Sequence, residues 1–437
     1  MASTKAKEVS MLNKTQKTLI ALLSVIMLFF SFVIVRIAFK PISIIKAAAI
    51  PIGESDPAVW GQQYPLQYES YKKMYEISPS PTGYGGSVKL QKSDMQPELF
   101  TNFKGMPFSE DYSEERGHVY SLEDLRDSKR VSKASKGACI SCKTPYVEQF
   151  YQESGWGYAK KPLAELLDKA KHPVSCASCH DPETMSLRVI TPSFIEAQER
   201  RGIDMSKATR EEMRTYVCAQ CHDEYYFEPG TSKVVLPWDK GLRPEEMYAY
   251  YAEKPNGFAQ DWQHSDSKAS ILKAQHPDYE TYATGTHGKA GVTCADCHMP
   301  FMRKSGQKYT SHNITSPVKN LESSCSPCHS QGSAWLLERV KTMQDQTWQL
   351  QHNAGQTVAR AHEAIKKAGD SQNVDQGELA KSRELVRKAQ WMWDIVAAES
   401  SMGFHNTDQS MTTLGQANEL AHQAIEAANR AAGIKVL

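Results

Sequence analysis

All ten cysteines of this 437-residue chain fall into five C-x-x-C pairs: Cys139/Cys142, Cys176/Cys179, Cys218/Cys221, Cys294/Cys297 and Cys325/Cys328. No thiol is left over for a disulfide. Histidine follows four of the pairs at once, as His180, His222, His298 and His329. C-x-x-C-H is the attachment signature of c-type haem: the two thiols form thioethers with the macrocycle and the next imidazole reaches the iron. Zinc is the ordinary alternative for paired C-x-x-C units. It takes two such pairs per ion, which five pairs do not supply, and has no need of histidine at the next position. A chain with five covalent macrocycles must fold around them, and the haems themselves then serve as apolar core.

The haem region reads as an irregular span from Pro51 to about Ser330, with short helical stretches (Leu163–Lys171, Lys207–Tyr216) between Gly/Pro turns and little strand alternation. It is expected to lack a large conventional side-chain core. The haem-free tail differs. Ser333–Lys367, Gln376–Met402 and Met411–Ala432 carry helical apolar spacing, as in Trp335, Leu336, Val340, Met343 and Trp348. The fold class is therefore mainly α: a multihaem cytochrome c fold with long C-terminal helices that pack on each other and on a second subunit. Lys+Arg and Asp+Glu nearly balance, at 51 against 50, so charge points to no nucleic-acid partner.

Ahead of the haem region, Lys5, Lys7, Lys14 and Lys17 precede an uncharged run from Thr18 to Val35, then Arg36 and Ile37-Ala38-Phe39. The basic flank keeps the N-terminus inside and exports the rest. Export suits haem attachment, which takes place outside the cytoplasmic membrane. The run is longer than a usual signal core and about long enough to span a bilayer. Ala47-Ala48-Ala49 resembles a cleavage site but lies far downstream. An uncleaved anchor is the preferred reading, with a cleaved signal as the alternative. The expected divisions are a basic cytoplasmic segment at 1–17, an anchor at 18–39, a haem-binding catalytic region at 40–330 and a helical, dimer-forming region at 331–437.

The fifth motif is Cys139-Ile140-Ser141-Cys142-Lys143, with lysine where histidine would stand. A neutral amine can bind iron once it has lost its proton, and a different axial ligand implies a different task. The plainer reading is a solvated Lys143 and a ligand from elsewhere.

One C-x-x-C-K site among four C-x-x-C-H sites resembles the ammonia-forming cytochrome c nitrite reductases, over roughly Gly83 to His405. The resemblance implies that the lysine-ligated haem binds nitrite at its open position and that the other four haems are bis-histidine electron wires. It implies further ligands. Arg116-Gly117-His118 is similar to the segment whose histidine completes the haem on His222. Thr286-His287 resembles the ligand segment of the haem on His329, Tyr309-Thr310-Ser311-His312 that of the haem on His180, and Gly403-Phe404-His405-Asn406, on a C-terminal helix, that of the haem on His298. Cys221-His222-Asp223-Glu224-Tyr225-Tyr226 resembles the segment that gives a calcium ligand and then the active-site tyrosine. Lys273-Ala274-Gln275-His276-Pro277 resembles the one with two calcium ligands and the catalytic histidine. The implied calcium set is the Glu224 carboxylate, the Gln275 amide oxygen and the backbone carbonyls of Tyr225 and Lys273. The ordinary reading of Glu224 and Lys273 is a surface ion pair. For the substrate arginine, Arg126 and Arg130 compete, and Arg130, twelve residues after His118, fits the family's spacing better. Nine of the fourteen histidines are then accounted for. His172, His264, His352, His362 and His422 are read as structural.

The resemblance thus implies reduction of nitrite to ammonium, with Lys143, Arg130, Tyr225 and His276 catalytic. It also implies a homodimer fed by a small quinol-oxidising multihaem subunit or a soluble cytochrome. The alternatives are a pure electron-transfer cytochrome with no substrate site, and the same fold acting on hydroxylamine or sulfite.

Overall fold

The computed structural model describes residues 13–38 and 49–434. These form two units. The first holds a single helix, α1 (Lys14–Ala38), whose span Lys14–Ser31 is long and apolar enough to cross a membrane. Lys5, Lys7 and the small residues Ala47-Ala48 lie outside the described residues.

The second unit begins at Ala49. Its only strands among the described residues are three short antiparallel ribbons: β1–β2 (Tyr226–Phe227 with Val234–Val235), β3–β4 (Trp262–Gln263 with Ser270–Ile271) and β5–β6 (Phe301–Lys304 with Gln307–Thr310). The rest is short helices, 3₁₀ turns and loops, followed by three long helices. The haem region nevertheless has a substantial side-chain core, contrary to expectation. Phe103, Tyr158, Phe194, Trp238 and Tyr251 are fully buried and are continuous with Trp391 and Trp393 of the tail. Their partners lie far apart in sequence, as with Tyr226 against Phe258 (centroids 4.6 Å) and Phe194 against Trp238 (5.6 Å). Such a core has no local period to read.

The tail helices are α2 (Ser333–Gly369), α3 (Gln376–Ala397) and α4 (Thr407–Ala431). Each packs against the other two. Small residues on α4 (Ala417, Ala421, Ala424, Ala428) are fully buried at helical spacing, so its backbone comes close to its neighbours. At Gly355 of α2 an added Cβ would meet the Trp393 ring at 2.8 Å. The Trp393 indole instead lies across the glycine and donates to Gln351 O at 3.0 Å.

Among the tail helices, two boundaries differ from the sequence reading by more than two residues. The second long helix stops at Ala397 rather than Met402, and the third starts at Thr407 rather than Met411. Between them the chain turns at Met402 and Gly403, both at positive φ (53° and 78°). The Asn406 side chain then caps α4 by accepting from Gln409 N at 3.2 Å. This turn, Phe404–Asn406, holds His405. His405 thus sits in a 3₁₀ turn between two helices and not on a helix.

Candidate haem centres and active site

Each cysteine motif lies on a helical turn, which brings residues three and four apart to one side. The backbone bonds His180 N to Cys176 O (2.9 Å), His222 N to Cys218 O (3.1 Å) and His329 N to Cys325 O (3.0 Å) close these turns. Two of them are capped by their own sequence. Ser175 and Ser178 form a reciprocal cap on Cys176–Ser178, and Thr293 and Asp296 cap Cys294–His298. The odd motif is wound more tightly, with Lys143 N donating to Ile140 O at 3.0 Å.

Nine of the ten cysteines are half-buried and Cys328 is exposed. The Cys325 motif is the last of the five, and its turn is closed by Cys328 N donating to Cys325 O at 3.1 Å.

Each of the four motif histidines faces a second histidine from a distant part of the chain. The ring centroids are 6.1 Å apart for His222 and His118, 6.2 Å for His180 and His312, 6.1 Å for His329 and His287, and 6.4 Å for His298 and His405. Two imidazoles on opposite sides of one metal, at about 2.0 Å per metal–nitrogen bond plus about 1.1 Å to each ring centre, would be separated by roughly 6.2 Å. The four pairs therefore fit an iron between each. Several rings also have Nδ1 occupied by an oxygen, which leaves Nε2 for the metal. His180 faces Met185 O (3.0 Å), His312 faces Thr310 O (2.9 Å), His298 faces Thr315 O (3.0 Å) and His222 faces the Asp278 carboxylate (2.8 Å). His405 Nδ1 lies 2.6 Å from Glu399 Oε1, a charge contact whose angle falls short of a hydrogen bond. Burial holds His118, His298 and His312 down to about 4, so all three rings are neutral near pH 7, the form a metal requires.

Lys143 is not solvated. Both carboxylate oxygens of Glu115 receive its Nζ, at 2.6 and 2.7 Å. Burial opposes the lysine's charge, but Glu115 outweighs it and the amine is raised above its ordinary value. Glu115 directly precedes the Arg116-Gly117-His118 segment, and nothing in its sequence marked it.

Arg130 and His276 lie within electrostatic reach of this lysine, and Tyr225 within reach of Cys139, Cys142 and Arg130. Arg130 acts electrostatically on Lys143, Glu115 and Tyr225, and its guanidinium stacks on Phe108 at 4.4 Å. Arg126 is committed elsewhere, donating to Leu167 O at 2.9 Å. Burial first, and then the Lys143 charge, push His276 down to about 4. Burial raises the Tyr225 hydroxyl well above its ordinary value.

Glu224 and Lys273 do not form a surface pair. Glu224 is fully buried, and its oxygens accept from Tyr251 Oη (3.1 Å) and Gln275 N (2.5 Å). Lys273 is buried too, with its Nζ on Asp394 at 3.0 and 2.9 Å. The Gln275 amide reaches the Lys273 carbonyl at 3.3 Å. Burial, with Glu280 and Asp261 adding negative charge, pushes Glu224 well above the carboxylate range. A buried carboxylate beside two further acids, with the nearest lysine paired elsewhere, suits a hard cation held by oxygens.

Of the histidines read as structural, His264 and His362 are fully buried and stack with centroids 3.7 Å apart. His362 bridges Ser267 Oγ (2.8 Å) and Gln390 Oε1 (2.6 Å). His352 contacts Glu98 at 2.8 Å, while His172 is half-buried and His422 exposed.

Five haem attachment motifs, four with paired histidines and one with lysine, define a multihaem c-type cytochrome with a single odd haem. Residues 56–436 match the cytochrome c552 family, and the chain belongs to that family. It is 39% identical over 406 residues to the cytochrome c nitrite reductase subunit NrfA of Nitratidesulfovibrio vulgaris, which spans 84% of this chain and 77% of the relative. It is 37% identical over 369 residues to a cytochrome c-552 of Parabacteroides distasonis, spanning 83% and 74%. Its fold matches the catalytic subunit of cytochrome c nitrite reductase from Desulfovibrio desulfuricans, a structure described for its two calcium sites. The TM-score is 0.83 at 36% identity, with 87% of both chains covered.

Proposed function

We propose that this chain reduces nitrite to ammonium at the haem carried by Cys139, Cys142 and Lys143. The observation that carries this reading is the odd motif itself. The lone lysine-bearing attachment site sits among Arg130, Tyr225 and His276, while each of the other four motifs pairs its histidine with a second one. Relatives that share over a third of the sequence across most of the chain are nitrite reductases.

The overall change is NO₂⁻ + 6 e⁻ + 8 H⁺ → NH₄⁺ + 2 H₂O. The haems, when bound, supply the electrons and an iron position open to the substrate. Arg130 supplies a permanent charge and fork-shaped donors to hold the anion and offset charge developing on its oxygens. His276 is neutral at rest, so it takes protons arriving from solvent on its ring nitrogen and passes them on as negative charge builds beside it. The Tyr225 hydroxyl, kept protonated by burial, donates a hydrogen bond. A calcium ion on the Glu224 carboxylate, the Gln275 amide and the carbonyls of Tyr225 and Lys273 would hold both side chains in place, since Glu224 adjoins Tyr225 and Gln275 adjoins His276.

The apolar helix α1 and the haem chemistry support a site outside the cytoplasmic membrane, anchored by that helix. The bis-histidine haems accept electrons from a quinol-oxidising multihaem partner or a soluble cytochrome. The long helices α2–α4 support a homodimer, and a monomeric sedimentation coefficient at micromolar concentration would overturn it. The deciding experiment is ammonium production from nitrite with a viologen donor, read beside magnetic resonance. The enzyme shows one high-spin haem among five, whereas an electron wire shows only low-spin haem. The same assay with hydroxylamine and sulfite ranks the substrates.

A further inference from the structure

We propose that Asp278 and Glu399 form one buried anionic unit that sets the reduction potentials of two neighbouring haems, those on His222 and on His298. This rests on the haem-ligand assignments above. A continuous set of contacts carries it. Asp278 takes His222 Nδ1 on Oδ2 at 2.8 Å. The same carboxylate accepts Ser400 N on Oδ1 at 2.7 Å and Ser400 Oγ on Oδ2 at 3.1 Å. Glu399, the preceding residue, lies 2.6 Å from His405 Nδ1. Its oxygens also accept from Ser401 N (3.0 Å), Ser401 Oγ (2.8 Å) and Gly403 N (3.2 Å). Ligand atoms of Asp278, Glu399 and His405 all fall within 4.8 Å of one another. Both carboxylates are buried, at 6% and 3% exposure. The connection between α3 and α4 that holds His405 thus also carries its acid.

The remaining described Nδ1 partners are different in kind. His180, His312 and His298 face only backbone carbonyls. A carboxylate behind an imidazole makes the ring a more basic ligand and places negative charge near the iron. Both effects favour the ferric state and lower the potential, since ligand basicity, hydrogen bonding and burial are the protein's means of tuning a haem. The two carboxylates serve different irons, His222 on one and His405 on the other. Because they are close together, with Glu399 directly preceding the Ser400 that donates to Asp278, each also acts on the other's haem. The haem on His180 and His312, backed by carbonyls on both sides, is the internal reference. Asp278 and Glu399 are positioning residues here: they act through the ligands and do not touch substrate.

The test uses the full haem-loaded protein with Asp278→Asn and, separately, Glu399→Gln. Haem content by pyridine haemochromogen and the low-spin resonance signals are recorded first, followed by spectroscopic redox titration. All five haems present, with the potentials of two of them shifted upward and that of the His180/His312 haem unmoved, is the expected result. Fully loaded variants with unchanged potentials would overturn the proposal while leaving the nitrite-reductase reading intact. An amide keeps an acceptor oxygen, so loss of haem in both variants would overturn it too, by assigning the pair to folding alone. Failure of the reading beneath it would look different: the unaltered protein would lack bis-histidine signals altogether.

Discussion

The pair Lys273–Asp394 ties the loop that carries Gln275 and His276 to helix α3, and removing its lysine gives a testable stability change. Both side chains are essentially inaccessible, at 1% and 0%. Asp394 also accepts Ala274 N at 2.9 Å. Lys273 Nζ donates to the Ala274 carbonyl and lies 4.9 to 5.2 Å from the ring centres of Phe103, Phe108 and Tyr112. At the effective dielectric of about 20 that describes buried pairs, two charges 2.9 Å apart attract by roughly 6 kcal/mol. Desolvation cancels much of this in the intact pair, but breaking it strands Asp394. Lys273→Met should therefore cost about 3–5 kcal/mol, with roughly 1 kcal/mol of lost cation–π contact included. The double variant Lys273→Met/Asp394→Leu should recover most of the loss, because no buried charge is then left unpaired. The pH dependence has a definite sign. Burial already raises Asp394 above its ordinary value, and without Lys273 the rise is larger. A carboxyl raised in the folded state favours folding below its unfolded pKa, near 4, and loses that contribution as pH climbs through the folded value. The Met variant should therefore gain on the unaltered protein as pH falls toward 5. Urea denaturation of the haem-loaded protein, followed by far-ultraviolet dichroism at several pH values, reads both effects. A loss under 1 kcal/mol, or one independent of pH, would refute the reasoning.

Three further outcomes are expected. Lys143→His keeps both thiols and so should keep haem attachment, yet lower ammonium production by at least about tenfold, the scale on which altered surroundings of a metal act; full activity in a fully loaded variant is incompatible with the proposed role. Chelation of calcium, or Glu224→Ala, should lower turnover with haem content unchanged, because Tyr225 and His276 lose their support; active protein shown by metal analysis to hold no calcium would contradict this. His405→Ala should replace one low-spin signal by a high-spin or water-ligated haem and slow electron delivery, whereas an unchanged spectrum would mean that the ligand comes from elsewhere.

Haem attachment was legible in the sequence because its chemistry is local: two thioethers and one axial ligand must come from a single helical turn, so Cys176-Ala177-Ser178-Cys179-His180 states its purpose within five residues. Lys143 was legible for the same reason. The long tail helices were legible because 3.6-residue periodicity survives over tens of residues. Their ends were not: the chain breaks at Ala397 because Gly403 and Asn406 offer a turn and a cap, while the apolar pattern runs on past it. The proposed distal ligands His118, His287, His312 and His405 were named by likeness to a family, since a solitary histidine carries no spacing signal.

What the sequence alone determined, then, is the inventory of this protein: five haems, one of them with a lysine, a membrane-length N-terminal helix and a helical tail. Tertiary structure decided which distant groups meet. It brought Arg130 within electrostatic reach of Lys143 while committing Arg126 to Leu167, and gave Lys273 to Asp394 rather than to Glu224. It also put Glu115 on Lys143 and Asp278 and Glu399 behind two imidazoles. The physical reason is that a buried charge must find a counter-charge or a hydrogen bond wherever the fold places one. That partner is chosen by three-dimensional proximity, across gaps as long as the 121 residues between Lys273 and Asp394, where no local pattern reaches.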